Sequence, residues 1–152
     1  MDVPVTLASG PAELAVAGRL LHDFNTEYDD PTPGADALAA RLTALVADGS
    51  TEVLLVGDAE GVVVLRFRPS LWSEADECYL AELYVGPSRR GGGLGRALLR
   101  AAVDRARARG CDFMDLATTE DDVGARHLYE SEGFRRTEGA GGPLTFHYER
   151  EL

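Results

Sequence analysis

Two arginines, Arg89 and Arg90, stand directly before Gly91-Gly92-Gly93-Leu94-Gly95, and this glycine run opens a segment of strong helix formers that reaches Gly110. The chemistry these residues could do is anion binding. The first turn of a helix carries unpaired backbone N–H groups and about half a positive charge, and glycines remove the Cβ atoms that would keep a bulky anion away from them. Seven arginines (Arg89, Arg90, Arg96, Arg100, Arg105, Arg107 and Arg109) fall in this stretch against a single acid, Asp104, in a chain of 152 residues whose net charge is −11. A phosphate group is the anion such a loop would hold.

Two common phosphate loops are excluded by residue type. A nucleoside triphosphate loop needs Gly-x-x-x-x-Gly-Lys-Ser/Thr, and the chain contains no lysine. A dinucleotide fingerprint needs a third glycine where Arg96 or Leu98 stands, depending on register. The stretch fits instead Arg/Gln-x-x-Gly-x-Gly/Ala, as Arg90-Gly91-Gly92-Gly93-Leu94-Gly95, directly after an apolar strand-like run ending Leu83-Tyr84-Val85. Further on, Asp122 to Phe134 reads DVGARHLYESEGF, with Ala125, Leu128, Tyr129 and Glu130 in the pattern Ala-x-x-Leu-Tyr-Glu and Gly133-Phe134 after it.

In this order and spacing, the two segments resemble the pyrophosphate loop and the second signature helix of the GNAT superfamily, the acetyl-CoA-dependent N-acetyltransferases. The resemblance implies that acetyl-CoA is the acyl-donor substrate. It implies that Gly91, Gly92, Gly93, Leu94, Gly95 and Arg96 hold its pyrophosphate with added charge from Arg90 or Arg89, and that backbone groups of Leu83, Tyr84 and Val85 receive the thioester. Tyr129 matches the family's usual general acid, a phenol that protonates the departing thiolate. Asp122 stands where the family usually has an asparagine that contacts the pantetheine arm.

Acetyl transfer from a thioester to an amine also needs a neutral amine, hence a base. Glu82 lies one residue before Leu83, where many polyamine and aminoglycoside acetylating relatives carry an acidic pair; Ala81 replaces the first member. A carboxylate there could take a proton from the ammonium through water, or could simply face solvent or an arginine. In this fold Phe24 to Asp30 and Pro69 to Asp76 would wall the acceptor site. Glu27 with Tyr28 and Trp72, backed by Asp29, Asp30, Glu74 and Asp76, would suit a cationic amine through charge and cation–π contact. An acidic protein also has acidic loops, so the two accounts stand side by side.

The function expected is transfer of acetyl from acetyl-CoA directly to a primary amine of a small, cationic molecule or peptide. Two other classes fit the same motifs: a non-catalytic acyl-CoA-binding regulatory module, and a protein acetyltransferase acting on lysine or N-terminal amines. Nucleic acid is not an expected partner, because Met1 to Leu65 carries eleven acids against two arginines. Metal is not expected either, since His22, His127 and His147 are scattered. No apolar run is long enough to span a membrane and the first ten residues lack a signal-peptide pattern, so a cytoplasmic protein is expected; the resemblance adds a homodimer. Cys78 and Cys111 have no metal or redox spacing and read as two buried free thiols.

One domain, 1–152, must position these residues. Periodicity and turn residues predict an edge strand at Val3–Ala8 and helices at Pro11–Phe24 and Asp36–Ala47. Thr51–Val56 and Val62–Phe67 read as a hairpin, Pro69–Ala75 as a loop and Glu77–Val85 as a strand leading into the glycine loop and its helix. A fifth strand is expected at Cys111–Ala117, a fourth helix at Asp121–Glu132 capped by Thr119 or Asp121, and short strands at Phe134–Thr137 and Leu144–Glu151. That order implies an α/β GNAT fold, a mixed central sheet of six to seven strands with four helices on its two faces.

Overall fold

Valines and leucines fill the two runs expected to form a hairpin. In the computed structural model, which describes residues 3–152, they form β2 (Thr51–Val56) and β3 (Gly61–Pro69), antiparallel with Val53 opposite Val64. β1 (Val5–Ala8) pairs with β2, and β4 (Asp76–Val85) pairs with β3, both antiparallel. With β5 (Phe113–Asp115) the strand order is β1-β2-β3-β4-β5. β4 and β5 are joined through a helix, the usual connection of parallel neighbours, which makes the sheet a mixed one.

Apolar residues on alternate strand positions give the sheet two buried faces. One face, carried by Ala8, Val53, Leu55, Val62, Val64 and Tyr84, packs against Leu14, Ala17, Leu20 and Leu21 of α1 (Pro11–Glu27) and Leu42 of α2 (Ala35–Ala47). Leu54, Val63, Leu65, Cys78 and Leu80 are buried on the other, which α3 (Leu94–Ala108) covers with Leu94, Leu98, Leu99, Ala102 and Ala106. Burying one leucine of this kind contributes about 1.5–3 kcal/mol. Arg109, just past α3, lies over the Phe67 ring at 4.0 Å and pairs with Glu52 at 3.5 Å, tying the helix end to the sheet.

α1 and α2 cross closely because Gly18 has no side chain. A Cβ there would lie 2.6 Å from the Ala35 carbonyl oxygen and 2.8 Å from the Ala39 nitrogen, both backbone atoms that cannot swing aside. Gly18→Ala should therefore force the helices apart and destabilise the fold by about 1–3 kcal/mol, read as a lower urea midpoint; an unchanged midpoint would show that the crossing is loose.

One irregularity interrupts the β3–β4 ladder. Val64 faces Glu82 and Leu65 faces Leu80, so Ala81 is an extra residue without a counterpart, a β-bulge. Before it, Cys78 and Leu80 pair with Phe67 and Leu65; after it, Glu82 and Tyr84 pair with Val64 and Val62. The bulge thus places the side chains of Glu82 and Tyr84 on the α1 face of the sheet and those of Cys78 and Leu80 on the α3 face.

The chain divides into two compact units, the first ending at Met114 and the second covering Asp115–Leu152. In the second, α4 (Val123–Ser131) starts at Asp122, whose Oδ1 accepts from the Ala125 N–H at 3.2 Å. The cap is thus Asp122 rather than Thr119 or Asp121. Tyr129 is buried and packs edge-on against Phe134 with centroids 6.1 Å apart.

Among the described residues the sheet has five strands rather than the six or seven expected. Phe134–Thr137 and Leu144–Glu151 form a single bridge, Thr137 to Leu144. Leu144, Phe146 and Tyr148 are exposed, so their alternation meets no covering face, and a two-stranded ribbon has little stability of its own. Cys78 is buried and Cys111 only partly so, and neither is in a disulfide. Among the described residues no helix is long and apolar enough to cross a membrane, and no group of three His, Cys, Asp or Glu is placed to hold a metal.

Candidate active site

The glycine run becomes a cradle. After β4, a short 3₁₀ turn at Pro87–Arg89 leads to Gly91 and Gly93, whose φ angles of 81° and 84° lie in the left-handed region. Only glycine adopts that region without strain. A Cβ built on either would meet nothing within 4 Å. Gly93 is the N-cap of α3 and supplies no side chain to its first turn, so no capping side chain competes with a ligand for the N–H groups there. The space and donors fit an incoming pyrophosphate.

Acids engage the arginines of this region. Arg89 pairs with Glu60 at 2.6 Å, and Arg105 pairs with Glu52 at 2.7 Å. Arg90 makes the most elaborate contact. Its Nη1 and Nη2 reach the two carboxylate oxygens of Glu27 at 2.8 Å each, and its Nε donates to the Val85 carbonyl at 3.0 Å. The Tyr84 hydroxyl donates to Glu27 Oε1 at 2.9 Å, and the Arg90 guanidinium lies 5.7 Å from the Tyr84 ring centroid.

Helix α1 makes this cluster possible by running three residues past Phe24. Glu27 then falls one turn after Phe24, which stacks on Tyr84 at 4.8 Å and meets Tyr28 edge-on at 5.5 Å. The Arg90 hydrogen bond is the main reason that the Glu27 carboxyl titrates below its ordinary value, against a smaller opposing effect of burial. Burial, reinforced by the Glu27 hydrogen bond, pushes the Tyr84 phenol up to about 12. Glu82, on the same face, is exposed as a residue, yet the atoms around its carboxyl remove enough water to raise its pKa above 4.5. In the second unit, burial raises the Tyr129 phenol to about 12, with a further contribution from the Asp122 charge.

The structure therefore brings together Glu27, Tyr28, Glu82, Tyr84, Val85, Arg90 and the loop from Gly91 to Arg96 at the C-terminal end of β4. It does not bring Trp72 there. Trp72 is exposed in the β3–β4 loop, at the other end of a strand of ten residues, on the order of 30 Å away at about 3.3 Å per residue. Trp72 lines a cleft of about 380 Å³ with Ser70, Glu77, Asp112 and Phe113, and a second cleft of about 190 Å³ lies between Cys111 and Val103. Neither touches the glycine loop. The Tyr84 phenol was not legible as a site group, since the resemblance assigned only its backbone; its signal was the spacing of Phe24 and Glu27 on one helix face.

The model of the Acetyltransferase (GNAT) family matches residues 19–134. The chain belongs to the GNAT family. An aminoglycoside N(6')-acetyltransferase type 1 of Stenotrophomonas maltophilia is 33% identical over 90% of this chain and 90% of its own length. A streptothricin acetyltransferase of Streptomyces lavendulae is 30% identical over 82% of this chain, which spans 59% of that protein. A crystal structure of an Arthrobacter sp. FB24 protein assigned to the acetyltransferases superimposes with a TM-score of 0.87 at 42% identity, covering 100% of this GNAT chain and 96% of the other.

Proposed function

We propose that this GNAT protein transfers the acetyl group of acetyl-CoA directly to a primary amine of a small, cationic molecule. The observation that carries the reading is the side-by-side placement of an open, uncapped helix N-terminus at Gly91–Gly95 and a face bearing Glu27 and Glu82. The first suits a pyrophosphate, the second an ammonium. Similarity to proteins named for streptothricin and aminoglycosides, both amine-bearing compounds, supports the acceptor class. The family match runs through both compact units and supports one catalytic domain. The reading includes a cytoplasmic location, in keeping with two unbridged cysteines, and a homodimer as in many relatives.

Residue roles follow from what the reaction requires. The loop amides and the first turn of α3 bind the pyrophosphate, and backbone groups at Leu83–Val85 orient the thioester. The amine nitrogen attacks the carbonyl carbon as the C–S bond breaks. Glu82, with its raised pKa, takes the ammonium proton through water, and Tyr129, a phenol protonated throughout the neutral range, returns one to the thiolate. Asp122 caps the helix that carries Tyr129. Glu27 and Tyr28 recognise the acceptor; Trp72 has no part in this constellation.

Acetyl-CoA-dependent release of free thiol across aminoglycosides, streptothricin, polyamines, amino acids and short peptides tests the reading. Turnover on one amine class is expected. Binding of acetyl-CoA without turnover on any of them would turn the assignment toward a binding module. Glu82→Gln supplies the pH test. A base with a raised pKa is active when deprotonated, so kcat/KM should rise with pH through an inflection above 4.5. In Glu82→Gln that inflection should vanish and the neutral-pH rate fall by about 10²-fold; an unaltered pH–rate profile would remove Glu82 from proton transfer.

A further inference from the structure

Arg90 holds a position with two claims on it. By its place in the glycine loop it should face the donor's pyrophosphate, yet its guanidinium is bound to both oxygens of Glu27 and to the Val85 carbonyl. Glu27, the carboxylate assigned above to the acceptor, is likewise taken. Of its four lone-pair positions, Arg90 occupies two and the Tyr84 hydroxyl a third. In this arrangement neither half of the site is ready.

We infer that Arg90 and Glu27 form an exchangeable ion pair through which donor binding opens the acceptor site: the pyrophosphate draws Arg90 off Glu27, and the freed carboxylate takes up the cationic amine in its place. This rests on the donor and acceptor assignments proposed above and adds the coupling between them.

Three observations make exchange favourable. The pair is partly exposed, with 42% of the Arg90 side chain and 27% of the Glu27 side chain open to solvent, so water screens it and can take over its hydrogen bonds as they break. A pyrophosphate offers the same planar fork a bidentate, more highly charged partner. A Cβ built on Gly91, beside Arg90, would meet nothing within 4 Å, so there is room next to the arginine for an incoming anion. When Arg90 leaves, Tyr84 still donates to Glu27 Oε1. The carboxylate keeps its place and loses only the cation, the vacancy an ammonium fills. The acceptor is thereby bound after the donor.

The test uses CoA as probe, by calorimetry on the full chain. Glu27→Gln keeps the shape and the acceptor for Tyr84 but removes the competing charge, so CoA should bind about three- to fivefold tighter. Arg90→Gln should weaken CoA by about tenfold. The deciding measurement is the double variant. If the pair is exchanged, the gain from Glu27→Gln disappears in the Arg90→Gln background. A gain that persists there would reflect only the removal of a negative charge near an anion and would overturn the coupling. So would unchanged or weaker CoA binding by Glu27→Gln alone. Wild-type protein that fails to bind CoA would instead sink the donor assignment, and the coupling with it.

Discussion

Gly93→Val should cost at least about 100-fold in acetyl-CoA affinity while lowering the melting temperature by only a few degrees. At a φ of 84°, a β-branched residue carries about 1–3 kcal/mol of backbone strain, and that alone affects stability. The affinity loss has a separate origin. The new side chain would occupy the open space beside the first turn of α3, where a pyrophosphate must approach the N–H groups. Gly110→Val is the matched control. Gly110 follows the other end of the same helix, has a φ of 88° and has equally open surroundings, so it bears the same strain without touching the anion's path. Calorimetry of both should show CoA affinity lost in the first and kept within about threefold in the second; equal losses would mean that strain, not approach, explains the effect and that the pyrophosphate lies elsewhere.

Tyr129→Phe should lower kcat by about 10²–10⁴-fold, the usual range for losing a positioned proton donor, with CoA affinity within about twofold of wild type. The phenol titrates near 12, so it stays protonated wherever the enzyme works. A phenol that is already protonated can donate to the sulfur as the C–S bond breaks and charge develops there. Since only the hydroxyl is removed, packing of the ring against Phe134 survives. Rapid-quench measurement of the first turnover separates chemistry from product release. A first-turnover rate equal to wild type would remove Tyr129 from the chemistry.

Local signals made the loop and its helix readable in the chain. Glycines followed by alanine, leucine and arginine specify a turn and then a helix with no help from distant residues. Thr51–Val56 coincided with β2, because β-branched runs bounded by turn residues leave little choice. Reading failed where distant partners decide. The Glu27 carboxylate meets Tyr84 and Arg90, 57 and 63 residues further on, and no periodicity reports such a meeting. α1 outran its expected end because Phe24 stacks on Tyr84 and Glu27 is held by Arg90, distant contacts that override the turn preference of Asn25 and Thr26. Trp72 seemed suited to a cation by its chemistry, but strand length carried it to the far end of β4. Leu144, Phe146 and Tyr148 alternate as a strand should; alternation shows that a face is apolar, not that anything covers it.

The unmatched residue at Ala81 makes the meaning of β4 depend on odd and even counting. Were Ala81 paired in the ladder instead of bulged, Cys78, Leu80, Glu82 and Tyr84 would all point the same way. A carboxylate would then enter the oily layer beneath α3, and the phenol that now anchors Glu27 would face away from it. Substitutions in β4 can alter one position at a time, and deletion of Ala81 would close the bulge with every pairing kept, but drawing Ala81 into the ladder would invert every position beyond it. For anyone recombining or shortening this protein, the pairing of Leu80 with Leu65 and of Glu82 with Val64 is thus a stricter constraint than the residue between them.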